Sequence, residues 1–260
     1  MIDNMDAHVV IPARMASTRL PEKPLADIAG IPMIVRVARQ VCLAKIDSVV
    51  VAVDEQRVFD VVEAAGYKVL MTRADHLSGS DRVLEVANTM GWPSTDVVIN
   101  VQGDEPLMPA VVINELVSLM RTDMSIDLAT LSEPISSFAD FVNPNIVKVV
   151  TDRQSSALYF SRSAIPYPRD EMAQPNLSDQ QMLDIAPQRH VGVYAFRVAA
   201  LREFVTLADS RLEQVERLEQ LRWLEAGRKI HVMQSSEPIP GGIDTPEDLE
   251  RVIEILKKSQ

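Results

Sequence analysis

The feature that most restricts the fold of this chain is an alternation of short, unbroken apolar runs with longer segments of helical period. The runs fall at residues 9–13, 48–53, 67–71 and 96–101. Runs of this length without polar alternation predict strands buried on both faces. Between them, a helix is predicted from about Pro32, with Ile34, Val37, Val41 and Ala44 as its apolar stripe. Further helices are predicted over about 55–65, where Gly66 is the stop, and over 80–90 and 109–121. This βαβαβαβα order predicts an α/β fold with a doubly wound, mostly parallel sheet, whose ligands bind beyond the carboxyl ends of the strands.

Polar residues gather at those strand ends. The loop after the first run carries Arg14, Arg19 and Lys23, spaced by Ala16 and Ser17. Fixed cations on a backbone that can approach a ligand suit a polyphosphate, although a solvated rim is the commoner origin of such a loop. Asp104 follows the fourth run, where Gly103 permits a sharp turn and Pro106 ends the strand. It is a simple turn aspartate or one of the one or two carboxylates that hold Mg²⁺ together with phosphate oxygens. Asp244 precedes a helix start with Thr245 as N-cap and Pro246 in the first turn, so it assists the cap or supplies a second metal carboxylate. Gly241 and Gly242 are not required by capping and suggest close backbone approach or an unusual turn. Ser78 and Gly79 open a helix and either cap it or contact a base or phosphate. His76 has no partner at a metal-ligand spacing.

Beyond Asp127 the pattern changes. Strands are predicted at 127–132, 146–152, 157–160, 189–196 and 229–234, with helices at 198–206, 212–226 and 246–257. Residues 168–187 are polar and aperiodic, which predicts a long mobile loop. On the 212–226 helix, Glu213 and Arg217 form an i,i+4 pair. The net charge of −11 argues against nucleic acid as a partner. Cys42 is the only cysteine, which excludes an internal disulfide and a cysteine metal cluster, and its apolar helical setting predicts a buried thiol. No apolar run reaches the length of a membrane span and the first residues are acidic, so a soluble cytoplasmic protein is expected.

Seven blocks, in order, resemble the 3-deoxy-manno-octulosonate cytidylyltransferase family. They are Ile11-Pro-Ala-Arg-Met-Ala-Ser-Thr-Arg-Leu-Pro21, Met71-Thr-Arg-Ala-Asp-His-Leu-Ser-Gly79, Asn100-Val-Gln-Gly-Asp-Glu-Pro106, Ala157-Leu-Tyr-Phe-Ser-Arg162, Arg189-His-Val-Gly-Val-Tyr194, Leu218-Glu-Gln-Leu-Arg222 and Asp244-Thr-Pro-Glu-Asp-Leu249. The resemblance implies a sheet of nucleotide-diphospho-sugar transferase type. It spans about residues 8–252 and implies a single domain, 1–260, with a β-rich sub-region near 133–200 for sugar binding and dimerisation. It implies transfer of a cytidylyl group from CTP to 3-deoxy-manno-octulosonate (Kdo) for lipopolysaccharide synthesis, with Mg²⁺ as cofactor and a homodimer as assembly. Arg14, Ser17, Arg19 and Lys23 then grip the triphosphate. Thr72, Ser78, Gly79 and Gln102 hold the cytidine, and Asp104 and Asp244 hold the metal. Arg14, Lys23, Asp104 and Asp244 form the catalytic set, and Arg162, His190, Tyr194, Glu219 and Gln220 bind the sugar acid.

Two positions depart from the family pattern. Glu22 stands where a glycine is usual, placing an acid beside Lys23, and Ser80-Asp81 replaces threonine-glutamate. Other acceptors for the same chemistry are an 8-amino Kdo analogue, sialic acid or a methylerythritol phosphate. A reading of another class is a nucleotide-binding homologue without turnover.

Overall fold

The computed structural model describes residues 5–16, 19–173, 176–208 and 210–258. It divides into two compact units. The first comprises Met1–Asp123, Val193–Val205 and Glu237–Gln260, and the second Met124–Gly192 and Thr206–Ser236.

The first unit begins with β1 (Ala7–Ala13), all seven of whose residues are buried. A short hairpin, β2 (Asp27–Ile28) and β3 (Ile31–Pro32), leads into α1 (Met33–Val41). Then come β4 (Ser48–Val53), α2 (Gln56–Ala64), β5 (Val69–Met71), α3 (Gly79–Thr89), β6 (Val97–Asn100) and α4 (Ala110–Thr122). Strand β1 lies between β4 and β6, parallel to both, and β4 pairs in parallel with β5. The four parallel strands match the sequence expectation. The valines, alanines and isoleucines of β1, of β6 and of residues 50–53 in β4 are close to fully buried, each larger side chain contributing about 1.5–3 kcal/mol against exposure, whereas β5 at the sheet edge is half-buried to exposed.

The second unit opens with β7 (Leu128–Pro134), α5 (Phe138–Val142), β8 (Lys148–Thr151) and β9 (Ala157–Ser161). It continues through α6 (Asp179–Ile185) into β10 (Gln188–Arg197), whose last residues belong to the first unit and pair antiparallel with β6. After α7 (Val198–Thr206) come α8 (Arg211–Glu216), α9 (Leu221–Glu225) and β11 (His231–Gln234), which pairs in parallel with β7. The chain closes on α10 (Pro246–Lys258) in the first unit.

Three local expectations are corrected. The segment predicted as a mobile loop contains α6, started by a reciprocal Ser178–Gln181 capping box and anchored through Met182 on Ile135, Phe141 and Leu177. The helix expected over 212–226 is two helices, because Arg217 adopts a left-handed conformation with φ 56° and ends the first. Glu213 therefore pairs with Arg222 instead of Arg217. Cys42 sits at the C-cap of α1 and is exposed, since the buried stripe ends at Val41.

Helix α10 matters for the site. Leu249, Val252, Ile253 and Leu256 recur at helical spacing and pack on Ile28, Met33 and Ile243. This apolar contact fixes the chain on either side of Asp244.

Candidate active site

The site is built where β1 and β6 end side by side. After β6, Val101 N–H donates to Val10 O at 3.1 Å. Gly103 then passes so close to β1 that an added Cβ would lie 2.8 Å from Pro12 O. Ile243 N–H donates to Asp104 O at 2.9 Å, which brings the α10 approach segment against the same turn. Gly242 makes that approach possible, because a Cβ there would stand 2.9 Å from Glu105 Oε1 and 3.2 Å from Asp104 O. Gly242 thus answers a steric demand that helix capping does not make, whereas a Cβ at Gly241 would meet only Arg251 Nη2 at 3.7 Å. Capping is also satisfied: Thr245 Oγ1 accepts from Asp248 N–H at 3.3 Å, and Asp248 Oδ2 accepts from Thr245 N–H at 3.1 Å.

Asp104 and Asp244 converge on one cation. Lys23 Nζ lies 2.5 Å from Asp104 Oδ2 and 2.9 Å from Asp244 Oδ1. Arg19 Nη2 reaches Asp244 Oδ2 at 3.0 Å. Burial, the largest influence on the Lys23 ammonium, lowers its pKa, but Asp104 and Asp244 together outweigh it and raise it above the usual lysine value. Lys23 therefore stays charged at neutral pH. Arg14, Arg19, Lys23, Gln102, Asp104 and Asp244 line a cavity of about 280 Å³.

A second cavity of about 180 Å³ shares Pro12, Arg14 and Gln102 with the first and adds His76, Ser78, Gly79 and Arg82. Ser78 meets the capping expectation, accepting from Asp81 N–H at 3.2 Å at the start of α3, and also borders the second cavity. Asp81 completes the capping box, the part the family's glutamate would play at the same position. His76 pairs with Glu85. Thr72 is buried, and its hydroxyl donates to Val53 O at 2.9 Å and accepts from Arg82 Nη1 at 2.5 Å. Its place is thus behind the cavity wall. Ser17 lies outside the described residues. Glu22 turns outward: with φ 52° it is exposed and accepts from Arg57 Nη1 at 2.5 Å.

Of the expected sugar-acid residues, Tyr194 is in the first unit, where its backbone pairs with Asn100, and the other four are in the second. Arg162 is held by backbone carbonyls, its Nε donating to Glu216 O at 2.7 Å and its Nη1 to Pro144 O at 3.0 Å. Glu216, missed in the sequence, accepts from Ser161 Oγ at 2.6 Å and from Arg162 N–H at 2.9 Å. His190 Nε2 lies 2.9 Å from Thr130 Oγ1, and the ring meets Phe160 edge-on. Its residue surface is partly open but the ring is enclosed. Burial first, and the Arg189 charge second, hold its pKa down to about 3. Gln220 is buried, Glu219 is half-buried, and Gln220 Nε2 has no hydrogen-bond partner among the described residues.

Two carboxylates already converge on one positive centre, and oxygen donors of this kind suit a hard divalent cation. No cluster of three or more His, Cys, Asp and Glu residues able to hold a metal exists among the described residues. A cation here would need further oxygens from a ligand or water, as phosphate-bound Mg²⁺ commonly does.

Three cations and two carboxylates around a cavity at the carboxyl end of a parallel sheet define a nucleotidyltransferase-type site. The cytidylyltransferase family model matches residues 8–230. The chain is 49% identical over 257 residues to the 3-deoxy-manno-octulosonate cytidylyltransferase of Cellvibrio japonicus, covering 98% of this chain and 100% of that one. It is 47% identical to the protein of that name from Francisella tularensis subsp. novicida, covering 94% and 96%. The chain belongs to the 3-deoxy-manno-octulosonate cytidylyltransferase family. A solved structure of CMP:2-keto-3-deoxy-manno-octonic acid synthetase complexed with CTP superimposes with a TM-score of 0.87 at 40% identity, covering 98% of this chain and 100% of that one. A cytidylyltransferase structure from Leptospira borgpetersenii, at 17% identity and a TM-score of 0.61, shares the fold.

Proposed function

We propose that this protein transfers the cytidylyl group of CTP to Kdo, giving CMP-Kdo and pyrophosphate. The observation that carries the reading is the convergence of Asp104 and Asp244 on one cation position, inside a cavity that Arg14, Arg19 and Lys23 also line. Family membership and the similarity to a synthetase solved with CTP support the nucleotide and the acceptor.

In the reaction the anomeric hydroxyl of the sugar acid attacks the α-phosphorus in line. The new C–O–P linkage forms as the bond to the β-phosphate oxygen breaks, pyrophosphate leaves, and the hydroxyl proton passes to water. Arg14, Arg19 and Lys23 counter the charge on the triphosphate and on departing pyrophosphate. Asp104 and Asp244 would hold Mg²⁺, which when bound would neutralise phosphate charge and favour an ionised hydroxyl. The second cavity takes the nucleoside, with Ser78, Gly79 and Gln102 on its wall. Arg162, His190, Tyr194, Glu219 and Gln220 receive the sugar acid. The uncommitted amide nitrogen of Gln220 supports a hydroxyl or carboxylate partner there. His190, neutral near pH 7, supplies a hydrogen bond without a charge.

We assign the protein to lipopolysaccharide synthesis in the cytoplasm; no helix among the described residues is long and apolar enough to cross a membrane. Leu158, Leu183 and Val215, exposed in the second unit, support self-association as a homodimer. The test is pyrophosphate release from CTP with Kdo, its 8-amino analogue and sialic acid, each with and without Mg²⁺. Mg²⁺-dependent release with Kdo as the best acceptor is expected. Release with another acceptor alone reassigns the substrate, and CTP binding without release from any acceptor removes the catalytic reading.

A further inference from the structure

One acid at a strand end belongs to neither the phosphate grip nor the metal pair. Asp54 follows β4, and each of its carboxylate oxygens has a different task. Oδ1 accepts from Met15 N–H at 3.0 Å, and Oδ2 accepts from Arg82 Nη2 at 2.9 Å. Arg82 turns its other terminal nitrogen, Nη1, to Thr72 Oγ1 at 2.5 Å. The Asp54 and Arg82 side chains are 12% and 5% exposed, so their charges face each other largely out of water.

Each end of this chain of contacts meets the nucleotide site. The Met15 amide shares a planar peptide with Arg14 O, so whatever holds that N–H fixes the direction in which the backbone leaves Arg14. Arg14 lines both cavities, while Arg82 lines the second alone. A buried carboxylate whose other oxygen is already claimed by a guanidinium has little freedom to rotate, which makes it a stiff acceptor for the loop amide. An uncharged turn would hold the loop without this cost, since burying an ion pair is expensive.

We propose that Asp54 is a positioning residue for the triphosphate, holding the phosphate loop through Met15 N–H while Arg82 locks the carboxylate from the nucleoside side. This rests on the CTP reading above. Its distinctive consequence is selective: loss of the Asp54 acceptor weakens the grip on the β- and γ-phosphates and leaves the nucleoside monophosphate nearly untouched.

The test removes charge before removing the acceptor, so that no buried ion is stranded. In an Arg82→Gln background, Asp54→Asn keeps an oxygen for Met15 N–H and Asp54→Ala does not. Affinities for CTP and CMP are measured by calorimetry at fixed Mg²⁺, alongside thermal melts. The Ala variant is expected to bind CTP about tenfold or more weakly than the Asn variant, with CMP changed less than about threefold. Equal losses for CTP and CMP, or an unchanged ratio between them, overturn the proposal. Wild-type protein with no preference for CTP over CMP overturns the nucleotide reading and this inference with it. If the Ala variant does not fold, hydrogen exchange of the Met15 amide in the wild-type chain decides. Marked slowing before nucleotide is added supports the anchor, and exchange at the free-peptide rate overturns it.

Discussion

Glu22 faces Arg57, away from the phosphate cavity: Arg57 Nη1 donates to Glu22 Oε1 at 2.5 Å, and both side chains are more than half exposed. The hydrogen bond to Arg57, and then its charge, lower the Glu22 carboxyl below the usual value. The acid that replaces the family glycine is therefore neutralised outside the grip. Because φ at this position is 52°, glycine suits the backbone at least as well. Glu22→Gly is expected to leave kcat/KM for CTP within about twofold and Tm unchanged or slightly higher. A tenfold gain in CTP affinity would instead show that Glu22 repels the triphosphate.

Lys23 stands between two carboxylates that are assigned to a metal. Its ammonium neutralises them, at 2.5 Å and 2.9 Å. Lys23→Met should therefore let the pair bind Mn²⁺ more tightly than wild type in the absence of CTP, read by electron paramagnetic resonance. Turnover should fall by roughly 100-fold or more, since a positive group aimed at developing charge is lost. Weaker Mn²⁺ binding than wild type would mean that the carboxylates do not share one cation position.

The two glycines before Asp244 offer a paired comparison. At Gly241 an added Cβ meets only Arg251 Nη2 at 3.7 Å, an ordinary contact. At Gly242 it meets the Asp104 carbonyl and the Glu105 carboxylate at 3.2 Å and 2.9 Å. Gly242→Ala should push Asp244 away from Asp104 and cost about 1–3 kcal/mol of stability. It should also lower Mg²⁺-dependent turnover by roughly 10- to 100-fold. Gly241→Ala should be close to wild type in both respects. Equal effects of the two substitutions in urea unfolding and pyrophosphate release would remove the steric account.

Much of this architecture is legible in the sequence. The parallel strands announced themselves because burial on both faces leaves no polar alternation, and strand-end residues such as Lys23 and Asp104 followed from the topology. What stayed hidden depended on distance. Nothing in the sequence says that Lys23 Nζ bridges Asp104 and Asp244, or that Asp54 joins Met15 to Arg82. Asp54 stands at a strand end as Asp104 does, but no neighbouring glycine marks it. The break at Arg217 was invisible for a different reason: arginine rarely adopts φ near 56°, and no glycine marked the spot. Helix α6 did carry its S-x-x-Q start in Ser178 and Gln181, a signal outweighed by the polar composition around it.

His190 makes the second unit sensitive to acid. In the unfolded chain the imidazole takes up its proton near 6.5, whereas burial and the Arg189 charge hold the folded value down to about 3. Between those values the unfolded state binds more protons, so stability falls as pH is lowered and recovers as it is raised. The slope approaches one proton, about 1.4 kcal/mol per pH unit, within that window. His190→Gln keeps a donor and an acceptor near Thr130 Oγ1 and has nothing to titrate. Urea unfolding of both proteins at pH 7, 5.5 and 4.5 should show wild type losing stability relative to the variant at each step down. The difference between them should be flat above pH 7. Parallel curves through the acid range would mean that the ring is protonated in the folded protein at an ordinary pH. The charge-free hydrogen bond assigned to His190 in sugar-acid binding would then have to be replaced by a cationic one.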